Sequence, residues 1–486
     1  MTRALSQAVD SLIAAILGPR PLTMRQWAEE TIVIPNGPHK GEPFRCNTQP
    51  FSRLYLDAVD SGRWPRVAAV GPQQTGKTLL CYVIPVLYYL FALNQTVVAG
   101  LPTLLLANDK WTEDFLPVIL ASPALRALLP RRGPGSRGGS VKESVTFANG
   151  VTLRFMGGGG SDKSRSGFTT SVFACTETDG LDAVSDNSRE ASKIRQMEGR
   201  TRAFGTREKR VFLECTASIE AGCIWQEYSK GTDSRIVLPC PHCGAWVSPE
   251  REDLHGWREA ESDFEALEGG HFSCPECETP WSEPERLAAN LAGQLVHRGQ
   301  EVTPEGQVVG DPPRTITFGF RWSAVHNMLV SAGEFARQEW DAARRIDRDE
   351  AEREMLQWVW GLPTVPADVD LTPLDPRRIA KRVTPLKKGI GPKNTRVVAV
   401  GIDTHLRHLE WDVQAWTSAS VGHVIDYGRF VVPGELGPHR SLITSLRELS
   451  AYLLAGWQDE SGQTLLPSIV WIDSGYAAHT KAVYAF

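Results

Sequence analysis

No charge sign dominates this sequence, no apolar run reaches membrane length, and no internal repeat is found. Its 52 Lys+Arg stand against 57 Asp+Glu, a formal net charge of −5 over 486 residues. That balance excludes a uniformly basic protein that coats nucleic acid and leaves room only for local basic patches. With 42% hydrophobic and 22% charged residues, collagen-like, coiled-coil and disordered chains are excluded as well. Between Lys77 and Asp109 there is no formal charge, but the apolar stretch Leu79–Leu93 is only about 15 residues, short of the roughly 20 a membrane span needs. Asn94, Gln95 and Thr96 interrupt it, so a buried helix followed by a buried strand is expected, and no membrane partner. The stretch Leu12 to Leu17 follows Asp10 and Ser11 and is too short to be expected to act as a signal peptide. The nine cysteines are odd in number and uneven in spacing, which fits a reducing cytoplasm better than a disulfide framework.

The length predicts about three domains. From Trp64 onward, short apolar runs alternate with helical stretches. Val67–Val70, Thr96–Gly100, Thr152–Met156, Ser171–Cys175 and Arg210–Cys215 read as buried strands of a mostly parallel sheet. One of the intervening turns carries a specific motif: Gly71-Pro-Gln-Gln-Thr-Gly76-Lys77-Thr78 fits G-x-x-x-x-G-K-[ST] between a strand and a helix. Its glycines let backbone N–H groups face phosphates at a helix N-terminus, Lys77 neutralises β/γ oxygens, and the Thr78 hydroxyl suits Mg²⁺.

A P-loop ATPase needs an acidic partner at the end of another core strand. Ser171-Val-Phe-Ala-Cys-Thr-Glu177 supplies Glu177 there, with Thr176 in place of the usual preceding Asp and Asp179 as a more distant carboxylate. Ahead of it lies a flexible polar loop, residues 157–167. Behind it, Arg189 to Arg210 holds eight basic residues against three acidic ones, and Arg195, Arg200 and Arg202 are candidates for sensing nucleotide or gripping DNA. The next strand ends in hydroxyls at Thr216 and Ser218.

Cys240-Pro-His-Cys243 and Cys274-Pro-Glu-Cys277 form two C-x-x-C knuckles, a tetrahedral thiolate set for structural Zn²⁺ with a longer spacer than usual. Between Glu250 and Glu278 there are ten acidic residues and two basic, a poor surface for DNA. Residues 282–360 read as helical, and the proline-rich stretch 361–395 as a linker. Then Arg396–Asp403, Glu410–Thr417, Gly422–Val432, a helix around Ser441–Leu454 and Ser468–Asp473 follow a β-β-β-α-β order. Parallel pairing of the first and last strands sets Asp403 and Asp473 side by side, where Mg²⁺ or Mn²⁺ ions can serve phosphodiester cleavage. Glu410, Asp412 and Asp426 are lower-ranked additions. No third carboxylate follows Asp473, so the nuclease domain is expected to be C-terminally incomplete.

The expected fold class is α/β. A P-loop (ASCE-type) ATPase domain with a zinc-ribbon-like insertion precedes an RNase H-like nuclease. The expected boundaries are an N-terminal segment 1–60, ATPase core 61–238, zinc insert 239–281, helical remainder 282–360, linker 361–395 and nuclease 396–486. These motifs, in this order, resemble the large terminase subunit of tailed phages, the lambda-type GpA family. The resemblance spans roughly residues 25–486, including Trp27-Ala-Glu-Glu, Trp360-Gly-Leu-Pro363, Asp473-Ser-Gly-Tyr and His479-Thr-Lys-Ala-Val-Tyr. It implies ATP binding by Gly71, Gly76, Lys77 and Thr78, adenine recognition at Gln49, catalysis by Glu177, and cleavage of concatemeric double-stranded DNA by Asp403 and Asp473. The implied partners are double-stranded DNA, a small terminase subunit and the portal ring of the procapsid, with the working enzyme a homo-oligomeric ring in the host bacterial cytoplasm. The alternatives are a zinc-ribbon DNA translocase or helicase, and a non-catalytic DNA-binding scaffold.

Overall fold

The computed structural model describes residues 22–136, 139–158, 168–182, 193–364, 382–405, 408–418, 421–433, 438–473 and 480–486. Most of the polar loop 157–167, the start of the basic stretch at Arg189, most of the linker 361–395, and residues 474–479 beyond Asp473 lie outside the described residues. Chain contacts separate two units, Met1–Val369 and Asp370–Phe486.

The first unit is built on a seven-stranded sheet whose strands, in chain order, are β1 (Arg66–Val70), β2 (Val97–Leu101), β3 (Ser144–Thr146), β4 (Thr152–Gly157), β5 (Val172–Thr176), β6 (Arg210–Cys215) and β7 (Thr317–Arg321). Their order is β7-β1-β6-β5-β2-β4-β3, with only the β3–β4 pair antiparallel. Strands β1, β2 and β5 are buried at every position, as parallel strands covered on both faces must be. One strand, β6, separates the P-loop strand β1 from the acidic strand β5, the spacing of the ASCE type.

The uncharged stretch after Lys77 is the expected buried helix. Pro85 has no N–H to return to the preceding turn, and the helix opens with a wide π-type turn over Leu79–Val83 before Ile84–Phe91 becomes α-helical. Seven of those eight α-helical residues are buried, so this apolar segment is core. Among the described residues no helix is long and apolar enough to cross a membrane.

Residues 282–360 depart from the helical expectation. Helices Glu283–Ala292 and Ala332–Arg344 are present, but the segment also contains β7, parallel to β1 in the register Val67↔Phe318 and Val70↔Arg321. Aromatic burial explains why so short a run becomes a core strand. Phe318, Phe320 and Trp322 are fully buried and meet Trp64, Tyr55 and Phe51, which holds helix Phe51–Asp60 against the sheet.

The chain between helix Cys223–Lys230 and β7 forms the insertion. Strands Arg235–Pro239 and Trp246–Val247 make one hairpin around the first cysteine knuckle, and His271–Ser273 with Pro280–Trp281 make another around the second.

The second unit has β8 (Thr395–Thr404), β9 (His408–Thr417), β10 (Gly422–Val431) and β11 (Ile469–Ile472) in the order β10-β9-β8-β11. Only β8–β11 is parallel. Helix Pro438–Leu454 buries Leu442, Leu446, Leu449 and Leu453, an apolar stripe at helical spacing, and completes the β-β-β-α-β order. A small hairpin, Trp457–Asp459 with Thr464–Leu465, lies between that helix and β11.

Candidate nucleotide, zinc and nuclease sites

The loop after β1 is shaped from both sides. Gln74 and Gly76 take φ of +58° and +82°, and the Gln73 N–H donates to the Trp358 carbonyl at 3.0 Å. Thr75 Oγ1 donates to the Pro72 carbonyl at 3.1 Å and accepts from Trp322 Nε1 at 3.1 Å. Gly71 has a different task from the one its motif suggests. A Cβ there would lie 2.1 Å from the Trp322 ring, so this glycine is the seat of a buried indole.

Lys77 Nζ donates to Thr216 Oγ1 at 2.9 Å, which joins the loop to the hydroxyl end of β6. It also forms an ion pair at 3.2 Å with Glu214 Oε2, a carboxylate only 1% exposed whose Oε1 accepts the Thr176 hydroxyl. Glu177 follows β5 with φ +52° and pairs with Lys110 Nζ at 2.9 Å, its side chain half exposed. Burial works against the Lys110 charge, but Asp114 and Glu177 together raise its pKa. Asp179 is occupied elsewhere: it accepts from the Ser218 N–H and hydroxyl and from the Ile224 N–H, tying the end of β5 to the segment after β6.

A cavity of about 420 Å³ adjoins the loop, lined among others by Gln49, Gln74, Gly76, Leu79 and Phe44. Gln49 faces it from a constrained position, because its Nε2 donates to Asn327 Oδ1 at 2.7 Å and its Oε1 accepts from the Met328 N–H at 2.8 Å. Arg195 and Arg202 line another cavity with Arg66 and Thr317, at the starts of β1 and β7. That is the sheet end opposite Gly71, so these two arginines do not reach a nucleotide on their own P-loop. Arg200 gives its carbonyl to the Thr170 N–H, at the start of β5.

Two sulfur pairs, Cys240 with Cys277 and Cys243 with Cys274, are each 3.9 Å apart, and all four Sγ atoms lie within 4.8 Å of one another. Tetrahedral Zn–S bonds of about 2.3 Å place sulfurs roughly 3.8 Å apart, so the donor set fits one zinc ion. The His242 and Glu276 N–H groups donate to the Cys240 and Cys274 sulfurs at 3.5 and 3.4 Å, stabilising thiolates. His242 is no ligand; its Nε2 faces Glu285 at 3.4 Å.

In the second unit, Ile402 pairs with Ile472, and the Asp473 N–H donates to the Ile402 carbonyl at 2.8 Å. Asp403 and Asp473 therefore leave adjacent strand ends and line one open cleft with Glu410, Asp412 and Arg429. Glu410 stands directly across from Asp403 in the β8–β9 register, and its pairing with Arg429 lowers its pKa. A carboxylate-rich cleft of this kind fits divalent ions. Asp426 is not part of it. Its buried carboxylate accepts from Trp457 Nε1 and the Tyr452 hydroxyl, each at 2.8 Å, and serves the fold. His405 and His408, which no sequence motif singles out, stand at the same strand ends. His405 Nε2 lies 3.1 Å from Asp403 Oδ2, and with Glu410 the two histidines form a group whose ligand atoms converge within 4.8 Å.

Residues 39–294 match the family described as "Phage terminase large subunit gpA, ATPase domain", and residues 317–486 match "Terminase large subunit gpA, endonuclease domain". The chain belongs to the gpA family of phage terminase large subunits. It carries that family's ATPase and endonuclease domains, and with them the chemistry of an ATP-driven DNA-packaging enzyme that uses a nucleotide and divalent metal. Among solved structures it is similar to the HK97 bacteriophage large terminase, at 16% identity over 85% of this chain and 67% of that one, with a TM-score of 0.42. A large terminase from a thermophilic bacteriophage matches at 11% identity over 91% and 80%, TM-score 0.34. The Thermus phage P74-26 large terminase ATPase domain matches at 12% over 65% and 92%, TM-score 0.32. A comparison with curated proteins finds no match. The gpA endonuclease match begins at Thr317, the first residue of β7, whereas β7 pairs with the P-loop strand of the ATPase sheet.

Proposed function

We propose that this gpA-family subunit binds ATP on the loop Gly71–Thr78, hydrolyses it with Glu177, and cuts double-stranded DNA with Asp403 and Asp473. The observation that carries the nucleotide reading is Lys77, held between Thr216 and Glu214 and next in the chain to Gly76, which lines a cavity with Gln49. Backbone N–H groups of the loop cradle the phosphates, and Lys77 exchanges its protein partners for β/γ oxygens. Thr78 turns its hydroxyl toward the metal that accompanies the nucleotide. Glu177, held by Lys110, orients the attacking water and accepts its proton once that ion pair opens. Mg²⁺ or Mn²⁺ supplies charge neutralisation at the phosphates and, in the nuclease cleft, activation of water.

In the cleft, Asp403 and Asp473 hold the divalent ions, with Glu410 the third carboxylate in reach. Gln49 bounds the adenine end of the cavity; with one Nε2 hydrogen on Asn327 and one Oε1 lone pair on the Met328 N–H, its amide is held in place and keeps one donor and one acceptor for the base. Cys240, Cys243, Cys274 and Cys277 hold a structural zinc. The partners we infer are DNA, a small terminase subunit, the portal ring and further copies of this chain in a ring, all in the host cytoplasm. Two substitutions test the reading. Lys77→Ala abolishes DNA-stimulated ATP hydrolysis while leaving DNA cleavage, and Asp403→Ala abolishes Mn²⁺-dependent cleavage while leaving hydrolysis. ATP hydrolysis that persists in Lys77→Ala, or Mn²⁺-dependent cleavage that persists in Asp403→Ala, refutes the corresponding assignment.

A further inference from the structure

Thr176 leaves the acidic strand one carboxylate short, and the strand beside it carries one in excess. Glu214 is the fifth residue of β6, which runs between β1 and β5. The register sets it opposite Ala69 on one side and Thr176 on the other. At 1% exposure, between the buried Leu213 and Cys215, it occupies a place where a carboxylate is retained only if its charge is used. Its Oε1 takes the Thr176 hydroxyl. Its Oε2 lies 3.2 Å from Lys77 Nζ and, among the described residues, receives no hydrogen bond.

We propose that Glu214 is the metal-facing carboxylate of this ATPase, displaced by one strand: Thr176 orients it, and Oε2 supplies the negative charge toward Mg²⁺ that an aspartate at position 176 would supply. Glu214 is a positioning residue in this role and forms no bond to substrate. The inference rests on the nucleotide reading given above. Without nucleotide, Lys77 and Glu214 neutralise each other. When Lys77 turns to the phosphates, Glu214 is left as an uncompensated buried charge, which is strongly unfavourable unless a cation replaces the ammonium. The site therefore discriminates between nucleotide that arrives with its metal and nucleotide that arrives without it.

The test is ATP-γ-S binding to the full chain, measured by calorimetry in Mg²⁺ and in EDTA. Wild type is expected to bind at least about tenfold tighter in Mg²⁺. Glu214→Gln, which leaves no buried charge behind when Lys77 turns to the phosphates, binds more tightly than wild type in EDTA and loses most of the metal-dependent gain. The exchanged variant, Thr176→Asp with Glu214→Gln, regains that gain, a rescue that a purely structural role for Glu214 would not produce. Full metal dependence in Glu214→Gln overturns the proposal. Should Glu214→Gln fail to fold, Thr176→Val decides in its place, because it removes the hydroxyl that orients the carboxylate: a reduced metal-dependent gain supports the proposal, and an unchanged gain overturns it. If wild type itself shows no binding that Lys77→Ala removes, it is the nucleotide reading that falls. Binding that depends on Lys77 but not on Glu214 sinks only the present inference.

Discussion

Replacing Gly71 with alanine adds one methyl group at the point where the P-loop leaves β1, and the structure says what that methyl meets. Its carbon would lie 2.1 Å from Cζ2 and 2.3 Å from Cε2 of Trp322. Carbon atoms pack comfortably at about 3.5–4.0 Å, so the indole or the loop must give way by roughly 1.5 Å. Neither has room. Trp322 is fully buried, stacks on Phe51 with centroids 4.7 Å apart, and holds Thr75 through its Nε1. Overpacking of this kind costs about 1–3 kcal/mol. Because Thr75 sits inside the loop, the displacement also weakens nucleotide binding. Thermal melting and ATP-γ-S titration read the two effects. A double-mutant cycle isolates the cause: phenylalanine lacks the fused second ring of the indole, whose Cζ2 and Cη2 the methyl strikes, so Gly71→Ala should cost about 1 kcal/mol less in a Trp322→Phe background. Additive losses, or a neutral Gly71→Ala in the wild-type background, would refute the reasoning and return Gly71 to the role of an ordinary phosphate-loop glycine.

Purified protein should carry about one zinc per chain by atomic absorption, and Cys274→Ser should lose it together with thermal stability; a metal-free wild type would sink the zinc assignment. Burial lowers the pKa of His326 to about 3 and that of His297 to about 4. Both stay neutral in the fold while the unfolded chain takes up protons below about pH 6.5, so stability rises with pH between the folded and unfolded values. At pH 5 the His326 contribution alone removes about 2 kcal/mol. Unfolding titrations at pH 5 and 7 should find the first unit weaker at pH 5, and His326→Gln should shrink that difference; an unchanged pH profile counts against a buried neutral histidine.

The motifs with fixed spacing were legible because their chemistry depends on neighbours in sequence. Gly76, Lys77 and Thr78 must follow one strand directly, and each cysteine pair must close one turn. The order of nuclease strands was legible for a related reason, since each has alternating or continuous apolar character of its own. What escaped depends on neighbours across the sheet. β7 is five residues, Thr317–Arg321, reached only after an insertion that separates it from the rest of its sheet. Its burial comes from Phe51, Tyr55 and Trp64, more than 250 positions earlier in the sequence, which no local pattern records. Glu214 was visible as an acid inside the apolar run Val211–Cys215, and that mismatch was the one available signal. Its meaning needed the register that sets it beside Thr176 and near Lys77. Asp426 shows the opposite case, a strand aspartate that suits a metal site by type but is turned inward to Trp457 and Tyr452.

The insertion follows from the same logic of partners. Between Glu250 and Glu278 only Arg251 and Arg258 are basic, and both are already committed. Arg251 makes a two-pronged bond to Glu339, at 2.7 and 2.8 Å, and also pairs with Glu352; Arg258 lies over the Trp257 ring at 4.6 Å. Ten carboxylates against these two cations make a surface that repels phosphates, and the module's packing contacts run inward. Phe272, on the strand that leads into the second knuckle, meets Phe335 and Trp360 edge to face at 6.5 and 6.2 Å. Trp360 in turn donates to Glu339 at 2.7 Å, and two residues before it the Trp358 carbonyl receives Gln73 of the P-loop. The knuckles thus close the hairpins whose aromatic face supports the segment that braces the nucleotide loop. On the zinc reading, metal binding in this chain acts on the ATPase through packing, which is why so long a spacer between the knuckles can be acidic without harm to a DNA-handling enzyme.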